Sequence, residues 1–208
     1  YIAFLNGKIQ GAGPGAAIYF RFDAPLSESS LPSVEQSAAA TSVAFVVDIT
    51  PGSVTYGQRL PMIATFHREG NRYIGDNWLS LRPVPGLPLR EKTTYAAVLT
   101  SGVRAADGGS IHADVDLIAM LSDTQPMSEP QRSAWPRYAQ LRTWLASSNL
   151  TDSVAAATVF TTQDATSVMQ KMRQAVYAEG AAPQPQGLGF LRSHDGMTDL
   201  YTGTFPSP

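Results

Sequence analysis

The residues of this chain that could do chemistry are few and scattered. Its three histidines are His67, His112 and His194, and cysteine is absent, which removes thiolate nucleophiles, thiolate metal sites and disulfides together. His112 stands in the run His-Ala-Asp-Val-Asp, so that His112, Asp114 and Asp116 offer one imidazole and two carboxylates for a metal. Asp107, Asp114 and Asp116 cluster near one predicted strand end and could hold Ca²⁺, which takes about six to eight oxygens. The competing reading is a turn aspartate followed by a helix cap, because the spacing lacks the interleaved Asp, Asn and Gly of calcium loops. His194-Asp195 is a conceivable acid–base pair. A metal or acid–base site needs several groups converging, so the plainer expectation puts His67 and His112 at exposed loops or strand ends and His194 in a linker. Asp76, Glu91 and Glu179 pair with nothing identifiable and read as solvated faces. Tyr73, Trp78, Trp135 and Trp144 could form a flat sugar- or lipid-binding platform, or serve as core, with Trp135 and Trp144 sealing helices onto a sheet.

A serine hydrolase of the α/β class lifts its nucleophile on a strained Gly-x-Ser-x-Gly elbow. That pentapeptide does not occur; Gly52-Ser53 and Ser101-Gly102 each carry half of it, both at predicted turns. No catalytic residue, cofactor site or metal ligand is therefore assigned. The net charge is -2, with Lys and Arg scattered, whereas a nucleic-acid footprint concentrates them on one face. No apolar run reaches the ~18 to 20 residues that span a bilayer, so no transmembrane segment is expected. The chain opens at Tyr1 without Met and closes on Phe-Pro-Ser-Pro, and is expected to be a piece of a longer polypeptide. At 208 residues it can bury roughly 70% of its unfolded surface, enough to fold without disulfide or metal.

The elements that would position such groups are mostly strands. Residues 1–15 read as a glycine-rich lead-in; GAGPG at 11–15 precedes a strand, whereas a dinucleotide fingerprint follows one. In AAIYFRFDAPL, Ile18, Phe20 and Phe22 share one face and Tyr19, Arg21 and Asp23 the other, the period of a half-buried strand. TSVAFVVDIT repeats the pattern with Val43, Phe45, Val47 and Ile49 inward, and Pro51-Gly52 is a turn. Residues 60–66 and 72–81 are strand-like, with Gly70-Asn71 between them as a hairpin. Tyr95 opens a strand over 95–100 and is expected to fill the core while its hydroxyl bonds back to the preceding loop. Gly102 suits a bend or positive φ, and Asp107-Gly108 is a turn pair.

From about residue 113 the period becomes helical, with Asp114 as cap and Val115, Ile118 and Leu121 as stripe. A second helix is predicted from Ser133 to about Ser147, with Trp135, Tyr138, Leu141 and Leu145 apolar. Residues 154–162 return to a strand, Ala157 and Val159 opposing Thr158 and Phe160. A last helix follows over about 164–179, capped by Thr162 or Asp164, with Val168 or Met169, Met172 and Val176 buried and Gly180 at its end. AAPQPQGLG (181–189) has linker composition. The predicted fold is mainly β: an antiparallel two-layer β-sandwich over 16–162, its interior filled by Ile18, Phe20, Phe45, Val47 and Tyr95. A helical insertion at about 113–150 precedes the last strand, a C-terminal helix covers 163–180, and linker plus the start of a following domain cover 181–208.

Three segments carry a resemblance. AIYFRFDAPLSESSL is similar to the first strand of bacterial immunoglobulin-like modules. TTYAAVLTSGVRAADGG resembles their Thr-x-Tyr…Gly-Val-x-Asp-x-x-Gly segment, and VFTTQ their closing strand. Together they look like the N-terminal region of bacterial extracellular lipase-type proteins, where such a sandwich precedes an α/β-hydrolase domain. The resemblance implies an immunoglobulin-like, non-catalytic accessory module of a secreted or cell-surface lipase- or esterase-like protein, partnered by the adjacent domain. Since the nucleophile elbow is missing, it carries over no catalytic residue. The alternatives are an adhesin-like or carbohydrate- or lipid-binding module, and the front part of a hydrolase that contributes directly to its active site.

Overall fold

The computed structural model describes residues 10–179 and 184–205. The chain divides into two compact units, residues 1–164 and 165–208. The first is mainly β, and its named strands pair antiparallel among the described residues. One sheet is ordered β1–β5–β4, from β1 (Ile18–Arg21), β5 (Trp78–Pro83) and β4 (Met62–His67). The other is ordered β3–β2–β6–β7, from β3 (Arg59–Leu60), β2 (Ala44–Asp48), β6 (Thr94–Thr100) and β7 (Val154–Thr161).

Alternation along β2 and β6 decides where the core sits. Ala44, Val46, Tyr95, Ala97 and Leu99 face the first sheet and pack with its Met62, Phe66, Leu79 and Leu81. Ile18, Phe20 and Phe22 close the same cluster, as their spacing requires. The other face of β2 and β6 is equally apolar: Phe45, Val47, Ile49, Ala96 and Val98 pack with Leu117, Leu141, Trp144 and Leu145. The expected two-layer interior is thus corrected to two apolar clusters, and Phe45 and Val47 belong to the second. A strand buried on both faces reads as a continuous apolar run, and Ala-Phe-Val-Val of β2 is such a run.

That second cluster is roofed by the helical insertion. Here α1 denotes the short helix Val34–Ser37, α2 Val115–Leu121, α3 Gln131–Ala134 and α4 Ala139–Ser148. Asp114 caps α2 as expected, accepting from Leu117 N at 2.7 Å. The predicted stripe is rotated, however: Val115 and Ile118 are exposed and Leu117 and Met120 are buried. The second predicted helix is broken into α3, a 3-10 turn over Trp135–Tyr138 and α4. Pro136, which has no N–H to give an α-helical ladder, sits at the start of that turn. Leu141 and Leu145 are completely buried. Trp144 meets Phe45 edge-on at 5.9 Å between centroids, and the Arg59 guanidinium lies 3.6 Å from the centre of the same Phe45 ring.

The strands over 60–66 and 72–81 are also redrawn. Leu60 pairs with Val46 in one sheet and Met62 with Pro83 in the other, so the chain changes sheets at Pro61. The hairpin between β4 and β5 forms, but β5 begins at Trp78, and residues 68–77 are its loop. Gly102 has no positive φ; its need for glycine comes from Val43, whose Cγ1 would collide with any Cβ there. Residues 1–9 of the expected lead-in lie outside the described residues, and its later part is hydrogen-bonded to the end of β7. Ala12 N donates to the Thr161 carbonyl at 2.9 Å, and Gln163 N returns a bond to Ala12 O at 2.9 Å.

The second unit contains α5 (Ser167–Glu179) and a hairpin of β8 (Gln186–His194) with β9 (Thr198–Thr204). The helix begins later than expected, at Ser167; Thr162 is buried at the corner before β6, and Asp164 pairs with Lys92 at 2.6 Å. Its predicted buried stripe, Val168, Met169, Met172 and Val176, is exposed. Gly180 and residues 181–183 of the predicted linker lie outside the described residues. The rest of that linker runs into β8, where Phe190 and Tyr201 meet across the strands at 5.8 Å.

Candidate functional site

The two larger concave places described in the first unit both gather polar side chains. One is a cleft of about 400 Å³ where the end of β1, the start of α2 and the first half of β7 meet. Arg21, Asp23, His112, Asp114 and Asp116 line it together with the small residues Ala155, Ala156 and Ala157. It brings together His112, Asp114 and Asp116 as the sequence suggested. Two of these groups already have work within the fold. Asp114 caps α2, and Asp116 Oδ1 accepts from Gln131 Nε2 at 2.8 Å. Among the described residues, no three His, Asp or Glu side chains come together in a way that could hold a metal ion. Asp107 is a turn residue, its Oδ1 taking Gly109 N at 2.8 Å. Tyr138 lines the same cleft; burial pushes its pKa up, and a bond with Thr158 opposes that.

The other place is smaller, about 220 Å³, on the outer face of the β1–β5–β4 sheet. Register explains its contents. Trp78 lies opposite Arg21 on β1 and His67 on β4, so all three share a face, and Tyr19, two residues before Arg21, joins them. The Tyr19 and Trp78 rings stand edge to face at 6.1 Å and 83°. The loop 68–77 supplies the rim with Glu69, Asn71 and Ile74. Its shape is held from within: Asn71 Oδ1 accepts from Tyr73 N at 2.8 Å and Ile74 N at 3.1 Å, and Asp76 Oδ1 accepts from Gly70 N at 2.7 Å. Gly70 touches the backbone of Ile74 and Gly75 so closely that a Cβ has no room. Trp78 Nε1 is buried and finds no hydrogen-bond partner, which is true of no other buried side-chain nitrogen or oxygen among the described residues.

The remaining sequence candidates stay apart. Ser53 donates to Asp48 Oδ2 at 2.6 Å, and Ser101 sits in the turn after β6 with its N–H on the Ser153 carbonyl. His194 Nδ1 lies 3.4 Å from Asp195 Oδ2 on the exposed turn of the β8–β9 hairpin. Asp76 is spent on its own loop, and the Glu179 side chain lies outside the described residues. The four aromatic residues do not make one platform. Trp144 is core, while Trp135 donates its Nε1 to Ser122 O at 2.9 Å and stacks under Arg142 at 3.7 Å. Tyr73 is exposed, and Trp78 has Tyr19 as its neighbour instead. Sequence reasoning places Tyr19 on an outward strand face and Asn71 in a hairpin turn, and marks neither of them nor Glu69 as a site residue. The alternation of Tyr19, Arg21 and Asp23 marks an outward face, but only the strand register shows which aromatic lies beside it.

Two further features tie down the corner before β6. Tyr95 is buried, and its hydroxyl accepts from Arg90 N at 3.0 Å, the back-bond expected of it. Thr162 Oγ1 donates to the Arg90 carbonyl at 2.5 Å and accepts from Thr93 N at 3.0 Å. The fully buried Asp48 sits opposite Tyr95 and accepts from Thr50 N at 2.8 Å, Ser53 Oγ at 2.6 Å and Thr55 Oγ1 at 2.7 Å. Burial raises its pKa, but these bonds outweigh burial and hold the carboxyl below its ordinary value.

The chain matches no protein-family model and no curated protein. Among the described residues, no helix is long and apolar enough to cross a membrane.

Proposed function

We propose that the chain is a non-catalytic, immunoglobulin-like module of an exported bacterial protein, extracellular or at the cell surface, acting beside a lipase- or esterase-like hydrolase domain. The observation that carries this reading is the corner at Tyr95. Its hydroxyl takes the Arg90 N–H across the loop that enters β6, as the tyrosine of an immunoglobulin-like sandwich does. That corner lies in the stretch of sequence with the most specific resemblance to such modules. Two antiparallel sheets sharing one apolar cluster are in keeping with the same architecture. The serines of the two half-elbows are engaged in turns, and the histidines His67 and His112 line separate clefts.

The role follows from that arrangement. A rigid β module with filled interior positions or docks its neighbour and contributes no reacting group. Two measurements test it. The purified chain is expected to leave short-chain p-nitrophenyl esters unhydrolysed; turnover that is lost in Ser53→Ala or His112→Ala would overturn the non-catalytic reading. Reading the gene downstream of Pro208 is expected to reveal a Gly-x-Ser-x-Gly elbow, and an immediate stop codon would remove the hydrolase link.

A further inference from the structure

We infer that the open edge of β7, where it enters the cleft beside Asp23 and Asp116, takes up an extended peptide bearing Lys or Arg side chains as an added strand. β7 ends its sheet and pairs with β6 on one side only. Alternation assigns its backbone groups. Thr162 N, just past the strand, donates to Thr93 O on the β6 side, whereas Thr161 O and Gln163 N point the other way and hold Ala12 at 2.9 Å each. By the same parity Ala157 and Val159 turn their N–H and C=O groups outward. Among the described residues Ala12 is alone in pairing with that edge, and its bonds go to Thr161 and Gln163. The outward groups of Ala157 and Val159 therefore stand ready as a template for one more strand. Native edges are commonly blunted by shortness, lysine or proline. The edge strand at the other end of the sheet, β3, is two residues long, but β7 has eight, with no charge and no proline.

The cleft selects the chemistry of that strand. Its volume of about 400 Å³ opens on Ala155, Ala156 and Ala157, whose methyl groups are too short to screen their own backbone. Residues 156–160 are all partly exposed. Of the charged groups that line the cleft, Asp23, Asp114 and Asp116 are carboxylates and Arg21 is a guanidinium, so the balance is acidic. Asp114 and Asp116 give Oδ1 to Leu117 N and Gln131 Nε2. An ionised carboxylate accepts at both oxygens, so each still has one to offer a cationic side chain. Lys or Arg on an added strand meets opposite charge here, whereas Asp or Glu is repelled. A second copy of the chain fits poorly for the same reason, since pairing β7 with β7 would set two acidic linings together. The inference is independent of the accessory-module reading: it holds or fails on this edge, whatever domain is joined to the chain.

The test is amide hydrogen exchange, read by NMR on the isotope-labelled full chain. In the free chain the Ala157 and Val159 amides are expected to exchange fast, and those of Thr158 and Phe160, turned toward β6, slowly. The probe is a pool of end-blocked peptides of pattern X-Lys-X-Lys-X-Lys-X, with X drawn from Ser, Thr and Val. At about 1 mM and a Kd near 0.1 mM, the pool is expected to slow Ala157 and Val159 about tenfold and leave Thr158 as it was. That alternation is the signature of an added strand, which binding elsewhere in the cleft does not produce. The matching pool with Glu in place of Lys is expected to leave both amides fast. Ala157→Pro deletes one outward N–H at a position β6 does not use, where an edge strand tolerates proline, and is expected to weaken binding about tenfold, read on Val159. Peptides N-methylated at alternate residues lose the donors of one edge and are expected to weaken by about the same factor with the protein untouched. Asp23→Asn is expected to weaken binding about threefold at low salt, a difference that fades as salt is raised. His67→Ala, in the other pocket, is expected to bind as the parent does. Circular dichroism melts accompany each variant to separate lost binding from lost fold. The inference is overturned if Ala157 and Val159 are already slow in the free monomer, which would mean that the chain fills its own edge. It is equally overturned if they become slow only as the chain dimerises, if the Lys pool leaves them fast, or if the Glu pool protects them as well.

Discussion

Replacing Asp48 with Asn tests whether a buried carboxylate organises the turn after β2. The carboxylate receives three hydrogen bonds of 2.6 to 2.8 Å, from Thr50 N, Ser53 Oγ and Thr55 Oγ1, and Arg90 Nη1 in turn reaches Thr55 Oγ1 at 2.9 Å. Bonds to a charged acceptor contribute about 1.5–3 kcal/mol each, and desolvation of the buried charge offsets part of their sum. Asparagine keeps the shape and one oxygen but loses the charge and one acceptor, so a net loss of about 2–3 kcal/mol is expected. For a domain of this size that corresponds to a fall in Tm of roughly 5–10 °C. All three tryptophans lie in the first unit, so their fluorescence follows its unfolding without interference from the second. The pH dependence carries the sign. The folded carboxyl, held below its ordinary value, binds a proton less readily than the unfolded one. Its stabilisation is therefore complete above the unfolded value of about 3.9 and is lost as pH falls through the lower folded value. The gap in Tm between parent and variant should be full at pH 7 and shrink below pH 4. An equal gap at pH 7 and pH 3, or no gap at pH 7, would refute the reasoning.

Tyr95→Phe keeps the ring in the core but leaves Arg90 N without its acceptor, and should cost about 1–2 kcal/mol in urea unfolding at unchanged m-value. Thr162→Val removes the hydroxyl that joins Thr93 N to the Arg90 carbonyl, and about 2 kcal/mol is expected by the same measurement. Gly102→Ala should be destabilising by about 1–3 kcal/mol because its Cβ meets Val43, and Val43→Ala in the same chain should recover part of that loss, a non-additivity read from the double-mutant cycle. Leu145→Ala, opening a void beneath the insertion, should cost about 2–5 kcal/mol and lower the Tm read by tryptophan fluorescence.

Much of the β framework was legible because a strand's period of two is written directly in residue type. Ile18, Phe20 and Phe22 face the core as their spacing requires, and Tyr95 makes its back-bond. Legibility failed where a segment is buried on more than one side. In β2 every residue is buried, so alternation cannot say which face meets the other sheet and which the helices. Helix phase failed for a related reason: Val115 and Ile118 are as apolar as Leu117 and Met120, and only the position of the sheet below selects the inward pair. Linker composition over 181–189 hid the start of β8 at Gln186, whose turn into β9 is marked by Asp195-Gly196, both residues at positive φ. The pocket beside Trp78 was the least accessible. It depends on the pairing of three strands that are distant in sequence and on a loop whose residues individually suggest only a turn.

The arrangement of β2 has one more effect. Because its two faces are claimed by different partners, the opposing sheet cannot detach without wetting Ala44 and Val46, nor the helices over 115–148 without wetting Phe45 and Val47. The insertion is therefore a roof that bears on the same beam as the rest of the building. Amide exchange in β2 and β6 should report one opening event shared with α4, and grafts or truncations that treat the insertion as ornament will yield an insoluble remnant.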